Sequence, residues 1–340
     1  MKPHLRLDVV IPTFNRSSLL RRALDSLLAA DRPAGLSTTV VVVDNRSTDD
    51  TRDVVQQYAP QFNGALRYVY EPQSGRSHAL NAGIAASGGD LVAMIDDDEE
   101  VDREWLTTIA TVFADASVDF IGGPYVPRWG GQRPAWLGSS YRSAVGWVDS
   151  GAVVRQFGSD FDAMLMGGNA VIRRQILDRV GPYATDLGRA AGTRLLSCED
   201  RDMFNRLLAV DARGFYRPDL VILHYVPPER LTKRYFRRWC FWHGASLAML
   251  DARQPAPVQY LFGVPRYMIG NAMRGTLDAI RAIAARDEER IFARELAWWE
   301  LAGFFYGKHL YRRQAAAPEA APRSASRRPG EESAAVRVAR

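Results

Sequence analysis

Cysteine is almost absent from this chain: Cys198 and Cys240 are its 2 thiols in 340 residues. Two so placed match neither a disulfide framework nor a metal-ligand spacing, so free thiols in a reducing compartment are expected. Long apolar runs are also missing. The nearest, Leu296 to Gly307, is broken by Glu300 and falls short of the ~20 residues that a spanning helix needs. Charge arrives before any apolar stretch of leader length, as Lys2 and Arg6 show, which argues against a secretory signal. The expectation is a cytoplasmic protein, at most one resting on the cytoplasmic face of the inner membrane. Lysine is scarce as well: 3 of the 44 basic residues are lysine. An arginine excess so complete fits a compositional bias of the proteome as well as it fits an anionic partner. No internal repeat is visible.

Hydrophobic residues at 47%, charged residues at 24% and aromatics at 10% exclude a disordered, collagenous or coiled-coil chain. The length suits two domains of ~150 residues, or one α/β domain with additions. Charge divides the chain unevenly. Residues 1–229 carry 24 basic and 29 acidic side chains, residues 230–313 carry 15 and 7, and the remainder 5 and 3. A slightly acidic body with a basic, aromatic-rich appendage suggests that the appendage meets an anionic surface.

Periodicity predicts alternating strands and helices over the first third. Leu7 to Pro12 is a short β-branched run, and Thr38 to Val43 is another; both read as buried strands. Between them Leu19, Leu20, Ala23, Leu24, Leu27 and Leu28 mark one face of a helix over Ser17 to Ala30. A helix from Ser47 to Tyr58, strands at Leu66 to Tyr70 and Asp90 to Ile95, and helices at Ser77 to Ala86 and from Asp102 complete the pattern. Such an alternation predicts a mainly parallel sheet covered by helices, with its ligand outside the carboxyl ends of the strands. Beyond Ala116 the signal weakens to glycine- and proline-rich loops through Gly138, short strands near Phe120 and Val153, and helices from about Arg173 and Glu199. Leu231 to about Arg313 reads as helical, and Ala315 to Arg340 as a disordered tail.

Chemistry collects at the strand ends. Asp96-Asp97-Asp98 closes the fourth strand, and if the strand continues, Asp96 and Asp98 point one way and Asp97 the other. Two hard oxygen donors on one face suit Mn²⁺ or Mg²⁺ holding a diphosphate. An acidic first turn of a helix is the plainer alternative.

In chain order come Val9-Val10-Ile11-Pro12-Thr13-Phe14-Asn15-Arg16, Val42-Val43-Asp44-Asn45, Gly75-Arg76 with Asn81, Ile95-Asp96-Asp97-Asp98, Gly167-Gly168-Asn169-Ala170 and Cys198-Glu199-Asp200. Over Leu5 to Glu229 this series resembles the family 2 inverting glycosyltransferases of the GT-A fold. The resemblance implies an α/β nucleotide-diphospho-sugar transferase fold, a divalent metal cofactor, a nucleotide-sugar donor with UDP as the first expectation, and a hydroxyl acceptor on a glycan or lipid-linked sugar. It implies a catalytic domain over 1–229, divided into a nucleotide half (1–116) and an acceptor half (117–229). A helical appendage over 230–314 and a tail over 315–340 complete the expected organisation. Residue by residue, the resemblance assigns Pro12, Thr13 and Arg16 to base and ribose, Asp44 to the pyrimidine, Arg76 and Asn81 to nucleotide and phosphate, and Asp96 to the ribose. Asp98 becomes a metal ligand, Gly168 and Asn169 line a sugar, Asp200 is the base that deprotonates the acceptor, and Glu199 holds the acceptor. His224, past an apolar run, resembles a third metal ligand, a structural histidine being the alternative.

Other classes fit less well. A dinucleotide oxidoreductase would place Gly-x-Gly-x-x-Gly after the first strand, and Pro12 to Ser17 lacks it, as it lacks the glycine-rich loop of a nucleotidyltransferase. A non-catalytic membrane scaffold on the same fold would have no use for Asp96, Asp98 and Asp200. No nucleic-acid recognition motif accompanies the basic residues. For the aromatic appendage, contact with an anionic membrane is expected, with packing on the body or in a homodimer as the alternative.

Overall fold

The computed structural model describes residues 4–158, 160–189 and 195–316. The first part alternates β1 (Leu5–Thr13), α1 (Ser17–Ala29), β2 (Leu36–Asp44), α2 (Thr51–Tyr58), β3 (Leu66–Tyr70), α3 (Arg76–Ala86), β4 (Leu91–Met94), β5 (Glu99–Val101) and α4 (Trp105–Val112). Next come β6 (Phe120–Gly122), β7 (Tyr125–Trp129), β8 (Arg155–Gln156), β9 (Ala170–Arg173), α5 (Arg174–Val180), α6 (Glu199–Ala209), β10 (Gly214–Tyr216) and β11 (Ile222–Val226). The chain ends in helix α7 (Lys233–Arg253), a hairpin of β12 (Tyr260–Leu261) and β13 (Val264–Pro265), and helices α8 (Arg266–Ala284) and α9 (Glu288–Ala316).

Eight strands form one sheet in the order β3-β2-β1-β4-β9-β6-β10-β8. Its first four are parallel, while β9 runs antiparallel between β4 and β6. The β-branched runs explain the centre. Successive side chains of a strand face opposite ways, so Val9 and Ile11 of β1 join Leu20, Leu24 and Ile109 below one face. Val10 joins Ala79, Leu80 and Phe204 below the other. Burial on both faces is why these strands read as continuous apolar runs.

Three local expectations are corrected. The second helix begins at Thr51 rather than Ser47, because the side chains before it close a loop instead: Ser47 Oγ accepts from the Asn15 N–H and Asp49 from the Ser17 N–H, each at 3.0 Å. The strand expected near Val153 is the two-residue β8, and Val153 itself is exposed. Tyr125–Trp129, within the stretch read as loop, is a strand; β7 is the edge of its sheet beside β11, with a single bridge from Tyr125 to Val148, and such an edge tolerates Pro127.

In the small sheet β5-β11-β7, the register sets His224 opposite Glu99. The C-terminal helices are fused to the body. Phe236, Trp239 and Cys240 of α7 and Phe292 and Leu296 of α9 share a core with Leu137, Val145 and Val226. Of the expected tail, Ala315 and Ala316 end α9, and 317–340 lie outside the described residues.

Candidate functional site

A cavity of about 580 Å³ opens where β1 and β4 lie side by side and the chain leaves them in opposite directions. Pro12, Thr13 and Arg16 enter it from the end of β1, and Arg76 from the first turn of α3. Asp96 and Asp98 enter from the end of β4, Gly168 from the turn before β9, Glu199 and Asp200 from the first turn of α6, and His224 from β11. The topology thus unites ten of the residues singled out by sequence.

The acidic run does not continue as a strand. β4 stops at Met94, Asp97 and Asp98 form a turn, and β5 begins at Glu99, so the alternation argument fails there. Asp97 turns inward, accepting from the Thr13 hydroxyl at 2.9 Å and from Arg16 Nη1 at 3.0 Å. Carboxylate oxygens of Asp96, Asp98 and Glu99 lie within 4.8 Å of one another. Glu99, which sequence reasoning missed, is 1% exposed and accepts from the Asp96 backbone N–H at 2.7 Å. Burial and the neighbouring Asp96 and Asp98 charges push its carboxyl well above the usual range. Burial opposes ionisation of Asp98 too, but the positive charges around it, that of His224 when protonated and then those of Arg230 and Arg16, outweigh burial and lower its pKa. Oδ2 of Asp98 faces Arg16 at 3.1 Å and Arg230 at 3.4 Å. Oδ1 looks toward His224 Nε2 at 3.7 Å. Burial lowers the His224 pKa, favouring the neutral imidazole that ligates metal, and its Nδ1 has no hydrogen-bond partner among the described residues.

Across the cavity stands the second acidic pair. Arg76, one-seventh exposed, donates from Nε to Asp96 at 2.8 Å and from Nη1 to Asp200 at 3.2 Å and Glu199 at 3.3 Å. Burial first, then the Asp200 charge, pushes Glu199 up to about 7. Gly167 and Gly168 leave room for both acidic groups: an added Cβ would stand 2.0 Å from Asp200 Oδ1 and 2.3 Å from Glu99 Oε1, respectively.

Three of the assigned residues stand outside the cavity lining. Asn81 clamps the Tyr183 backbone, donating to its carbonyl at 2.9 Å and accepting from its N–H at 2.8 Å. Asn169, fully buried, accepts from Trp105 Nε1 at 3.0 Å and donates to the Leu220 carbonyl at 2.6 Å. Asp44, 3% exposed, accepts from the Ser47 N–H and the Tyr68 hydroxyl, both at 2.7 Å. None of the three lines the cavity; Asn45, beside Asp44, does.

The cavity also contains residues with no sequence signal. Tyr125 carries a buried hydroxyl without a partner among the described residues. Trp239 and His243 of α7 stack at 4.7 Å between centroids, so the helix read as an appendage forms part of the wall. Behind them His243 Nδ1 lies 3.1 Å from Ser197 Oγ, and its Nε2 3.7 Å from Glu300 of α9. Burial lowers His243 to about 4 and raises Glu300 to about 7.

The sequence model named "Glycosyl transferase family 2" matches residues 8–181, half of the chain, which includes Asp96, Asp98 and Glu99 but not Glu199 and Asp200. The chain belongs to that family. Among similar glycosyltransferases and related proteins, the "Succinoglycan biosynthesis protein ExoM" of Rhizobium meliloti is 27% identical over 68% of this chain and 72% of its own length. The "Glucosyl-dolichyl phosphate glucuronosyltransferase" of Haloferax volcanii is 24% identical over 74% of this chain and 79% of its own. In fold, the chain is similar to the mannosyltransferase PcManGT of Pyrobaculum calidifontis, solved with GDP-Man and Mn²⁺, at a TM-score of 0.60 and 19% identity over 89% of this chain and 87% of that one. The mixed α/β body is the GT-A fold, and this family 2 member is a glycosyltransferase.

Proposed function

We propose that this chain transfers a sugar from a nucleotide-sugar donor to a hydroxyl of a glycan or lipid-linked acceptor, with inversion, in the assembly of a cell-surface polysaccharide or glycolipid. The observation that carries the reading is one cavity holding two acidic groups with Arg76 between them. The succinoglycan and dolichyl-phosphate relatives support the acceptor class.

A divalent ion fits the first group. Asp96, Asp98 and Glu99 would hold it, with the neutral His224 Nε2 facing the same place. Bound there, it supplies the positive charge that stabilises a departing diphosphate. The residues of the chain do the rest. Pro12, Thr13, Arg16 and Asn45 line the end at which base and ribose would lie. Asp200, 21% exposed, lining the cavity and ion-paired to Arg76, is the group that would take the acceptor proton. Glu199, deeper and harder to ionise, suits holding an acceptor hydroxyl. Trp239 and His243 close the acceptor end, where a planar pair suits the face of a sugar ring.

The test is hydrolysis of a panel of nucleotide sugars with Mn²⁺ present, UDP-linked donors first, followed by the anomeric configuration of the released sugar. One donor cleaved with inversion supports the reading. Retention would remove Asp200 as a direct base, and no cleavage across the panel would leave the proposal unsupported.

A further inference from the structure

Water faces an unusual number of large apolar side chains on the C-terminal helices. Phe262, at the tip of the hairpin, is 87% exposed and sits in a left-handed backbone (φ 51) that a bulky residue adopts only at a cost. Gly263 follows with φ 72, and the Lys308 ammonium of α9 donates to its carbonyl, fixing the tip beside that helix. One turn back on α9 lies Phe305, and seven residues before it Trp298, so the two share a helical face. Both are 46% exposed, while Leu301, between them on that face, and Phe304 beside it are buried with Met268 and Ala272 of α8. Trp298 Nε1 donates to Thr276 of α8 at 3.3 Å, which brings Met273, one turn earlier on α8 and 61% exposed, to the same side. Phe262, Phe305, Trp298 and Met273 thus form a patch across three elements that the described residues leave at least 46% exposed.

Charge decides what covers it. Residues 230–313 carry 15 basic side chains against 7 acidic, whereas the body is acidic on balance. Arg266 and Arg274 are exposed on α8. A second copy docking through the same face would bring two basic regions together, a like-charge contact that opposes association. An anionic surface meets the opposite condition. Aromatic rings and arginines on one face are the composition that rests at the headgroup level of a bilayer. We propose that the patch of Phe262, Phe305, Trp298 and Met273 seats the protein on an anionic lipid bilayer. The seat is independent of the transfer reading, and it leaves no helix crossing the membrane, since no helix among the described residues is long and apolar enough.

Flotation of the full-length protein with vesicles tests it. With phosphatidylcholine containing phosphatidylglycerol, the floated fraction should exceed that with phosphatidylcholine alone by about tenfold and fall in high salt, because several basic residues contribute. Phe262→Ser and the double variant Phe262→Ser/Phe305→Ser should lose floating stepwise while melting as the wild type does, since both rings are exposed. Equal floating with both vesicle types, none with either, or wild-type floating by the double variant would overturn the proposal. So would a dimer in sedimentation that the double variant splits, which would give the patch to a second copy. None of these readings depends on activity, so a failed donor panel and a failed membrane seat remain distinguishable.

Discussion

Arg76 Nη1 stands 3.2 Å from Asp200 Oδ1 across 124 positions of sequence. Through Nε the same guanidinium holds Asp96, so a single buried cation ties the proposed metal side of the cavity to the proposed base. Burial alone would lower its pKa, but the three carboxylates outweigh that and raise it well above the ordinary value, so it stays charged.

Asp200→Asn tests the base. Arg76 keeps Asp96 and Glu199 as partners in this variant, so the fold and the nucleotide end should survive. Calorimetry should show unchanged binding of the donor identified in the panel, and turnover should drop by roughly 10²–10⁴-fold, the range of a positioned general base. Wild-type turnover would move the role elsewhere, Glu199 being next to examine.

The metal assignment rests on Asp98. Asp98→Asn should abolish Mn²⁺-dependent turnover, and EDTA should do the same to the wild type and be reversed by added Mn²⁺. Full turnover in EDTA would contradict the assignment. Some loss of stability is also expected, because Arg230 is 8% exposed and loses its charged partner.

Tyr125→Phe separates structure from catalysis. The hydroxyl is buried with no partner among the described residues, so removing it should leave the melting temperature unchanged or raise stability by up to ~1 kcal/mol. A simultaneous fall in turnover would mark the hydroxyl as a group that meets substrate, whereas unchanged turnover would confine it to packing.

Glu300 makes stability depend on pH. Its folded pKa is raised from 4.5 to about 7 by burial, so between those values the folded state holds a proton that the unfolded state has lost. The stability contribution of this group therefore falls as pH rises through that window and is flat above it. Glu300→Gln should match the wild type at the acid end and exceed it by about 1–3 kcal/mol above neutrality. Melting curves at the two ends check it; an equal difference at both would show that the carboxyl is not held protonated.

How much of the fold and the site was legible in the sequence varies along the chain. The runs at Val9 to Ile11 and Val40 to Val43 announce central strands because both faces are buried and nothing polar interrupts them. The polar residues were harder to place. Asn81 and Asn169 stand at motif positions, yet their amides are engaged with backbone and indole partners 102 and 64 residues away, and no local pattern encodes such contacts. Glu99 reads as one more acid in a run; only the turn at Asp97 and Asp98, which returns the chain to strand at once, puts it with Asp96 and Asp98. Trp239 and His243 look like any aromatic helix face, and their place in the cavity wall comes from a core shared with Val145 and Val226.

That shared wall has a consequence for synthesis. The first four parallel strands leave the ribosome first, but part of the cavity wall waits for α7, about two-thirds of the way along the chain. A nascent chain that has already made Pro12, Arg76 and Asp98 therefore still lacks the wall that Trp239 and His243 supply.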